Sequence, residues 1–338
     1  MSKKQKQKNK IQLNMQNDAT MTLGKSRNFG PFFEKYGTLI GIGIICAIFA
    51  ILSPIFLQYD NLFAIVAQAS AVGVASIGLT LVVMTGNLDM SFGSVVGLSG
   101  MTSAYLLSNG SSILVAVIAG LAIGLSVGIV NGLLVVGLRI NSLIATISTQ
   151  VIVFGLAYFY SGGVDIHKNI TEPFTILGHG SLGPVPNPAV LLLVILAIAY
   201  YVTNYTSLGR LLYAVGDNPV ASEFSGIRVK FLKVIVYVIA GVLASVAGII
   251  MLARLEYGAA YTGQGYLLEG FGAVYLGFTI AKSGRPNVIG SVIGALFMMI
   301  LNNGFQLLGV NFVLQIALKG LALLVIVLVH SKLNMVKE

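Results

Sequence analysis

What most limits the fold of this chain is a recurrence: predominantly apolar stretches follow one another from residue 37 to residue 330, parted by short polar breaks. A bilayer core roughly 30 Å thick is crossed by a helix of about 20 apolar residues. Within that layer every backbone polar group needs an internal partner, so a run of this length reads as a helix. Composition agrees: 56% of residues are hydrophobic and 9% charged, against about 25% charged in a soluble domain. The expected fold is all-α, a polytopic helical membrane protein. The net charge of +9 does not argue for nucleic acid, because most of it falls in the leading tail and in breaks assigned to one side of the membrane.

Ten spans are expected, at residues 37–57, 61–85, 91–108, 112–138, 141–161, 188–204, 232–253, 268–281, 286–308 and 312–330. The eighth is short, which suggests a broken or tilted element. Residues 1–36 form a basic tail led by Lys3, Lys4, Lys6, Lys8 and Lys10, with no clear small-residue cleavage site after the first apolar run. Lysine and arginine collect on the cytoplasmic side of membrane proteins. With the tail inside, Arg139, the basic residues of the break at 206–233, and Lys282 and Arg285 all fall inside, whereas the outer loops hold only Lys168 and Arg254. Both termini are therefore expected in the cytoplasm, with a transmembrane domain at 37–332 and a short tail at 333–338. The lone Cys46 lies in the first span and reads as a small buried hydrophobe.

The longest inner break, TSLGRLLYAVGDNPVASEFSGIRVKFLK, begins at Thr206 and ends at Lys233. Gly209, Gly216, Pro219 and Gly226 punctuate short amphipathic pieces, as in helices lying along a membrane surface. On composition it is either a docking segment or a connector whose charges fix topology. Outside, the loop 162–188 carries His167 and His179 with Asp165 and Glu172, whose spacing matches no metal-ligand pattern. A second outer loop, 254–267, holds Tyr257, Tyr261 and Tyr266, which suit either interface anchoring or an external partner.

Within the spans glycine dominates. Gly120, Gly124, Gly128 and Gly132 recur every four residues, and Gly93/Gly97, Gly290/Gly294, Gly241/Ser245 and Ala244/Gly248 repeat the spacing. Small residues at this interval let helices approach closely in lipid. Polar residues inside the spans are candidates for a solute path: Asn302 and Gln306 share a face, as do Gln315 and Lys319, and Asn303 lies beside the first pair. A charge at the bilayer centre costs about 2.5–3.5 kcal/mol, so Lys319 needs a partner such as Glu269 or Glu256, or water. Asp89, at a junction, either caps the third span or meets solute. Gln68, Asn131 and Gln150 read as interhelical hydrogen bonders. No catalytic, cofactor or metal site is expected. The triplet Gly24, Lys25, Ser26 lacks the preceding glycine and strand of a phosphate loop, so the chain is not expected to hydrolyse ATP itself.

The stretch GLTLVVMTGNLDMSFGSVVGLSG resembles the signature of ribose-type ABC importer permeases, with Asp89, Ser91, Gly93 and Ser94 matching and Met90 in place of a leucine. The likeness continues through Leu208 to Arg210, Ala214, Gly216, Asn218, Ser225 to Ile227, VYVIAGVLASVAGIIMLARL, Asn302 to Gly304, and Gln315 with Lys319, covering residues 35–333. It implies an inner-membrane permease for a sugar or similar small polar solute, working with a separate ABC ATPase, an extracytoplasmic solute-binding protein and a second permease subunit, identical or not. It also implies that the break at 206–233 docks into the ATPase, with Arg210, Ala214, Gly216, Asn218, Glu223, Ser225 and Gly226 as coupling positions. The path candidates are Asp89, Asn302, Asn303, Gln306, Gln315 and Lys319. The chain departs from the family in its inner loop GFTIAKSGRPNVIGS, which is bulkier and more basic than the usual glycine-rich one. It also has Glu269 where an aspartate is usual and Leu267 where a glutamate is common. The alternative is a secondary transporter driven by an ion gradient, with Glu269 and Lys319 as its coupling pair.

Overall fold

A computed structural model describes residues 30–280 and 284–335, and side chains over 39–280 and 284–325. Of the basic tail at 1–36, residues 1–29 lie outside the described residues, as do Lys282 and the last three residues, and residues 30–36 already belong to the first helix. Helices occupy the expected spans: α1 Gly30–Leu52, α2 Tyr59–Met84, α3 Phe92–Ser108, α4 Ile113–Gly132 with a π-helical extension Leu133–Gly137, and α5 Ser142–Ser161. After a short helix α6, Glu172–His179, and a two-stranded hairpin, β1 Ser181–Leu182 with β2 Val185–Pro186, comes α7, Asn187–Tyr205. The amphipathic break forms α8 Ser207–Asp217 and α9 Pro219–Phe224, followed by α10 Val229–Leu255, α11 Gln264–Ile280, α12 Val288–Leu307 and α13 Phe312–Met335.

Among the described residues, six helices are long and apolar enough to cross a membrane: α2, α4 with its extension, α5, α7, α10 and α12. They divide into two layers. The most apolar stretches of α2, α10 and α12 are 72%, 61% and 67% buried within the chain, whereas those of α4, α5 and α7 are 22–28% buried. The inner three form the core, and the outer three turn most of their apolar surface away from the protein, which suits contact with lipid. Helix α1 stops at Leu52, earlier than expected, because Pro54 has no N–H to continue the ladder. Helix α11, the short eighth span, is a single unbroken stretch of 17 residues.

The glycine stripe explains how the layers join. Along α4 the buried positions include Ala116, Gly120, Gly124, Gly128 and Gly132, one per turn; from Gly124 to Gly132 this line lies on α10, and Gly120 lies against Ser103 of α3 and Ile249 of α10. A Cβ added at Gly124 would collide with the Gly241 carbonyl, one at Gly241 with the Gly124 carbonyl, and one at Gly128 would sit 2.6 Å from the Tyr237 carbonyl. The same close approach brings Gly93 of α3 to Gly263 and Gly290 of α12 to Gly277 of α11. Between α2 and α12, where side chains are larger, hydrogen bonds help: Asn61 and Asn303 exchange amide bonds of 3.0 and 2.7 Å, and Thr80 donates to Ser291 at 2.7 Å.

The loops 162–188 and 254–267 have more structure than their Gly, Pro and Asn content suggests. Residues Ile166 and Gly258 pair as a backbone bridge, Tyr261 donates to Asp165 at 3.2 Å, and His179 lies 3.3 Å from Glu256. Helix α6 tucks Phe174 and Gly178 under this cover, Gly178 against the Ala253 backbone.

Replacing Gly124 by leucine should destabilise the folded protein by about 1–3 kcal/mol or more through overpacking. Gly155→Leu, at a position with nothing within 4 Å of an added Cβ, should be neutral. Denaturation of both variants in detergent micelles checks the contrast.

Candidate functional site

Helices α2, α10, α11, α12 and α13 leave between them a pocket of about 320 Å³. Its polar lining is Gln68 from α2, Arg254 from α10, Thr262 from the following loop, Tyr266 and Glu269 from α11, and Asn302 from α12. Val72, Met251, Leu255, Met299 and Phe312 complete the wall. Each helix contributes to the pocket from a partly apolar face, so the polar atoms converge only when the bundle closes.

One ion pair holds this arrangement. Lys319 Nζ donates to Glu269 Oε1 at 3.1 Å and to Asn302 Oδ1 at 3.4 Å, and both charged side chains are under a tenth exposed. The partner that Lys319 requires is thus Glu269, while Glu256 lies just after α10 beside His179. Desolvating two charges is costly, and their attraction offsets this only when both are present and hydrogen-bonded. The pair therefore fixes α13 against α11 and α12 beside the pocket. With an amide on either side, a hydroxyl and charged groups on an otherwise apolar wall, the pocket suits a small, hydroxyl-rich solute.

The other expected path residues are distributed differently. Asn303 is turned to Asn61 in the tie between α2 and α12. Gln315 donates to the Val310 carbonyl at 2.7 Å, closing the turn between α12 and α13, and Gln306 is exposed. Asp89 is 2% exposed and lies outside the pocket. Its Oδ1 accepts from Ser91 N–H at 2.8 Å and from Ser91 Oγ at 2.7 Å at the start of α3, and Asn131 donates to Ser91 Oγ at 2.7 Å. Leu88 and Met90 N–H donate to Ser142 and Thr146, and Tyr237 donates to the Leu88 carbonyl at 3.0 Å. Asp89 thus organises a buried crossing of the chain.

The break at 206–233 makes a second candidate surface. In α8, Leu212 and Val215 are buried and Gly216 abuts the Met84 carbonyl at the end of α2, leaving no room for a side chain. Ala214 accepts from Ser222 Oγ at 3.0 Å, and Asn218 caps α9 by accepting from Ala221 N–H at 2.9 Å, with Pro219 following at the first helical position. Gly226 has φ +81°, a left-handed turn that favours glycine. These expected coupling positions shape the segment from within. Arg210 and Glu223 are exposed, around Phe224 at 90% exposure and Val220 at 64%, and Ser225 donates from its hydroxyl to the Ala221 carbonyl at 2.9 Å. Phe224 and Val220 thus place exposed apolar surface among the charges of this segment.

Of the pocket lining, sequence reasoning singled out Asn302 as a path residue. Gln68 reads as a helix-to-helix hydrogen bonder, Arg254 as a loop charge, Tyr266 as an interface anchor or a contact for an external partner, and Glu269 as one of two acidic partners for Lys319. The signal shared by all four is polarity at the edge of or within an apolar span.

A family described as a branched-chain amino acid transport system permease component matches residues 61–329. The ribose import permease protein of Escherichia coli K12 is 38% identical over 317 residues, covering 93% of this chain and 99% of that protein. The ribose import permease protein of Bacillus subtilis is 34% identical over 319 residues, covering 94% and 99%. The D-allose transport system permease protein of Escherichia coli K12 is 32% identical over 298 residues, covering 88% and 91%. No solved structure matches the chain.

Removing one member of the buried pair, as in Lys319→Met or Glu269→Met, should destabilise the protein by about 3–5 kcal/mol, whereas the double replacement should recover much of the loss. Unfolding of the purified variants in mixed micelles measures both effects.

Proposed function

From the premise that this chain belongs to the permease family of sugar-importing ABC systems, we propose that it forms the membrane path for a monosaccharide or similar small polar solute and is driven by a separate ABC ATPase. The observation that carries this reading is the pocket between α2, α10, α11, α12 and α13, in a chain whose relatives are named for ribose and allose. Its volume lies at the lower end of the range typical of small-molecule sites.

In this reading the solute enters from an extracytoplasmic binding protein under the paired outer loops and meets Gln68, Arg254, Tyr266, Glu269 and Asn302. The segment 206–233 faces the cytoplasm, and Phe224, Val220, Arg210 and Glu223 dock on the ATPase. The positive-inside pattern supports ten crossings and cytoplasmic termini, in a bacterial plasma membrane. The outward apolar surfaces leave room for a second permease subunit. The Lys319–Glu269 pair also has the chemistry of a proton- or sodium-coupled device, but the family of the chain favours ATP.

The test is co-purification from native membranes. The intact protein should bring down an ATPase, and Phe224→Asp should weaken that association by about 2 kcal/mol, roughly thirtyfold, as loss of an aromatic anchor does. Recovery of the chain without an ATPase, together with ion-driven, ATP-independent D-ribose uptake in vesicles, would overturn the proposal.

A further inference from the structure

The inner loop that departs from the family pattern makes contacts that give its altered residues a use. Arg285 Nη2 lies 2.9 Å from Asp217 Oδ2, the last residue of α8. Tyr213, one turn earlier in α8, donates from its hydroxyl to the Pro286 carbonyl at 2.7 Å. The Arg285 guanidinium lies 5.8 Å from the centre of the Tyr213 ring. Burial pushes the Tyr213 hydroxyl up, with Arg285 opposing, so the group stays protonated and remains a donor. Next in the chain, Asn287 Oδ1 accepts from Gly290 N–H at 2.6 Å, capping α12, and its Nδ2 donates to the Gly277 carbonyl of α11 at 3.2 Å. A continuous set of bonds thus runs from α8 through residues 285–287 into the ends of α11 and α12, the two helices that supply Tyr266, Glu269, Met299 and Asn302 to the pocket.

We infer that Arg285, seated by Tyr213, is a positioning residue that joins the ATPase-docking segment directly to the pocket-lining pair α11 and α12, so that movement of α8 is delivered there as well as to α2. Both members of the ion pair are more than half exposed, at 53% and 58%, and exposed pairs add little to stability. Their consequence is geometric: they select where α8 attaches. The inference rests on the ATP-driven reading above, and its test separates the two.

Labelling of a cysteine in the pocket reads the movement without knowledge of the solute. Met299→Cys is placed in a Cys46→Ser background, the protein is purified with its ATPase, and the rate of reaction with a maleimide is compared with and without ATP. The parent is expected to show an ATP-dependent change in rate. Arg285→Ala and Tyr213→Phe should each shrink that change by about threefold, a size that one exposed ion pair or hydrogen bond can carry, with ATPase retention unaltered. The exchange Arg285→Asp with Asp217→Arg should restore it. An ATP response in the parent that persists undiminished in Arg285→Ala overturns the junction and leaves the permease reading intact. Absence of any ATP response in the parent overturns the ATP-driven reading, and the junction with it.

Discussion

Lipid offers no hydrogen bonds and little incentive for apolar side chains to leave it, so the helices of this protein are held by whatever lets their surfaces touch. For α4 and α10 that is the absence of side chains. Where Gly124 meets Gly241 the two backbones pack directly, and dispersion between many atoms replaces the burial that would hold a soluble bundle together. The same means bring α3 to the start of α11 and α11 to α12. The buried core of α2, α10 and α12, and hence the shape of the pocket, depends on these approaches. Hydrogen bonds such as those of Asn61 with Asn303 then fix which register each pair adopts.

Against this apolar frame the Lys319–Glu269 pair is a costly interaction to bury, and it lies next to the pocket. Its position has a physical rationale. A solute bearing hydroxyl groups needs donors and acceptors that are oriented before it arrives, and a paired ammonium and carboxylate hold Asn302 and the faces of α11 and α13 in fixed positions. The segment 206–233 has a corresponding logic. Asn218, Ala214 and Gly216 give it a defined shape, and its outward side is then free to carry Phe224 and the charges around it.

The helical architecture was legible because bilayer thickness writes itself into the length of each apolar run, and the glycine stripe announced its face through spacing alone. The need of Lys319 for an acidic partner was also readable, since a charge within a span demands one. The assembled pocket was not. Gln68 and Asn302 are 234 residues apart, and nothing local in either sequence says that they face the same space. Asp89 and Asn303 have the polarity expected of a path, yet the structure uses them for a chain crossing and a helix tie, roles that depend on neighbours such as Ser91 and Asn61. The hairpin and α6 escaped notice for the opposite reason: α6 takes its order from Ala253 on α10 and the hairpin from α2 and α7, and their own composition suggests only a loop.

The seat of Gly216 on the Met84 carbonyl makes α2 a lever. From Met84 to Gln68 is 16 residues, or about 24 Å of helix at 1.5 Å per residue. A tilt of roughly 5° imposed at the Met84 end would swing Gln68 by about 2 Å over that arm, most of the width of a water molecule. Because no Cβ cushions the contact, there is no slack to absorb the push. A tilt imposed at that contact would be amplified by length alone, with the glycine as the bearing on which the arm would turn.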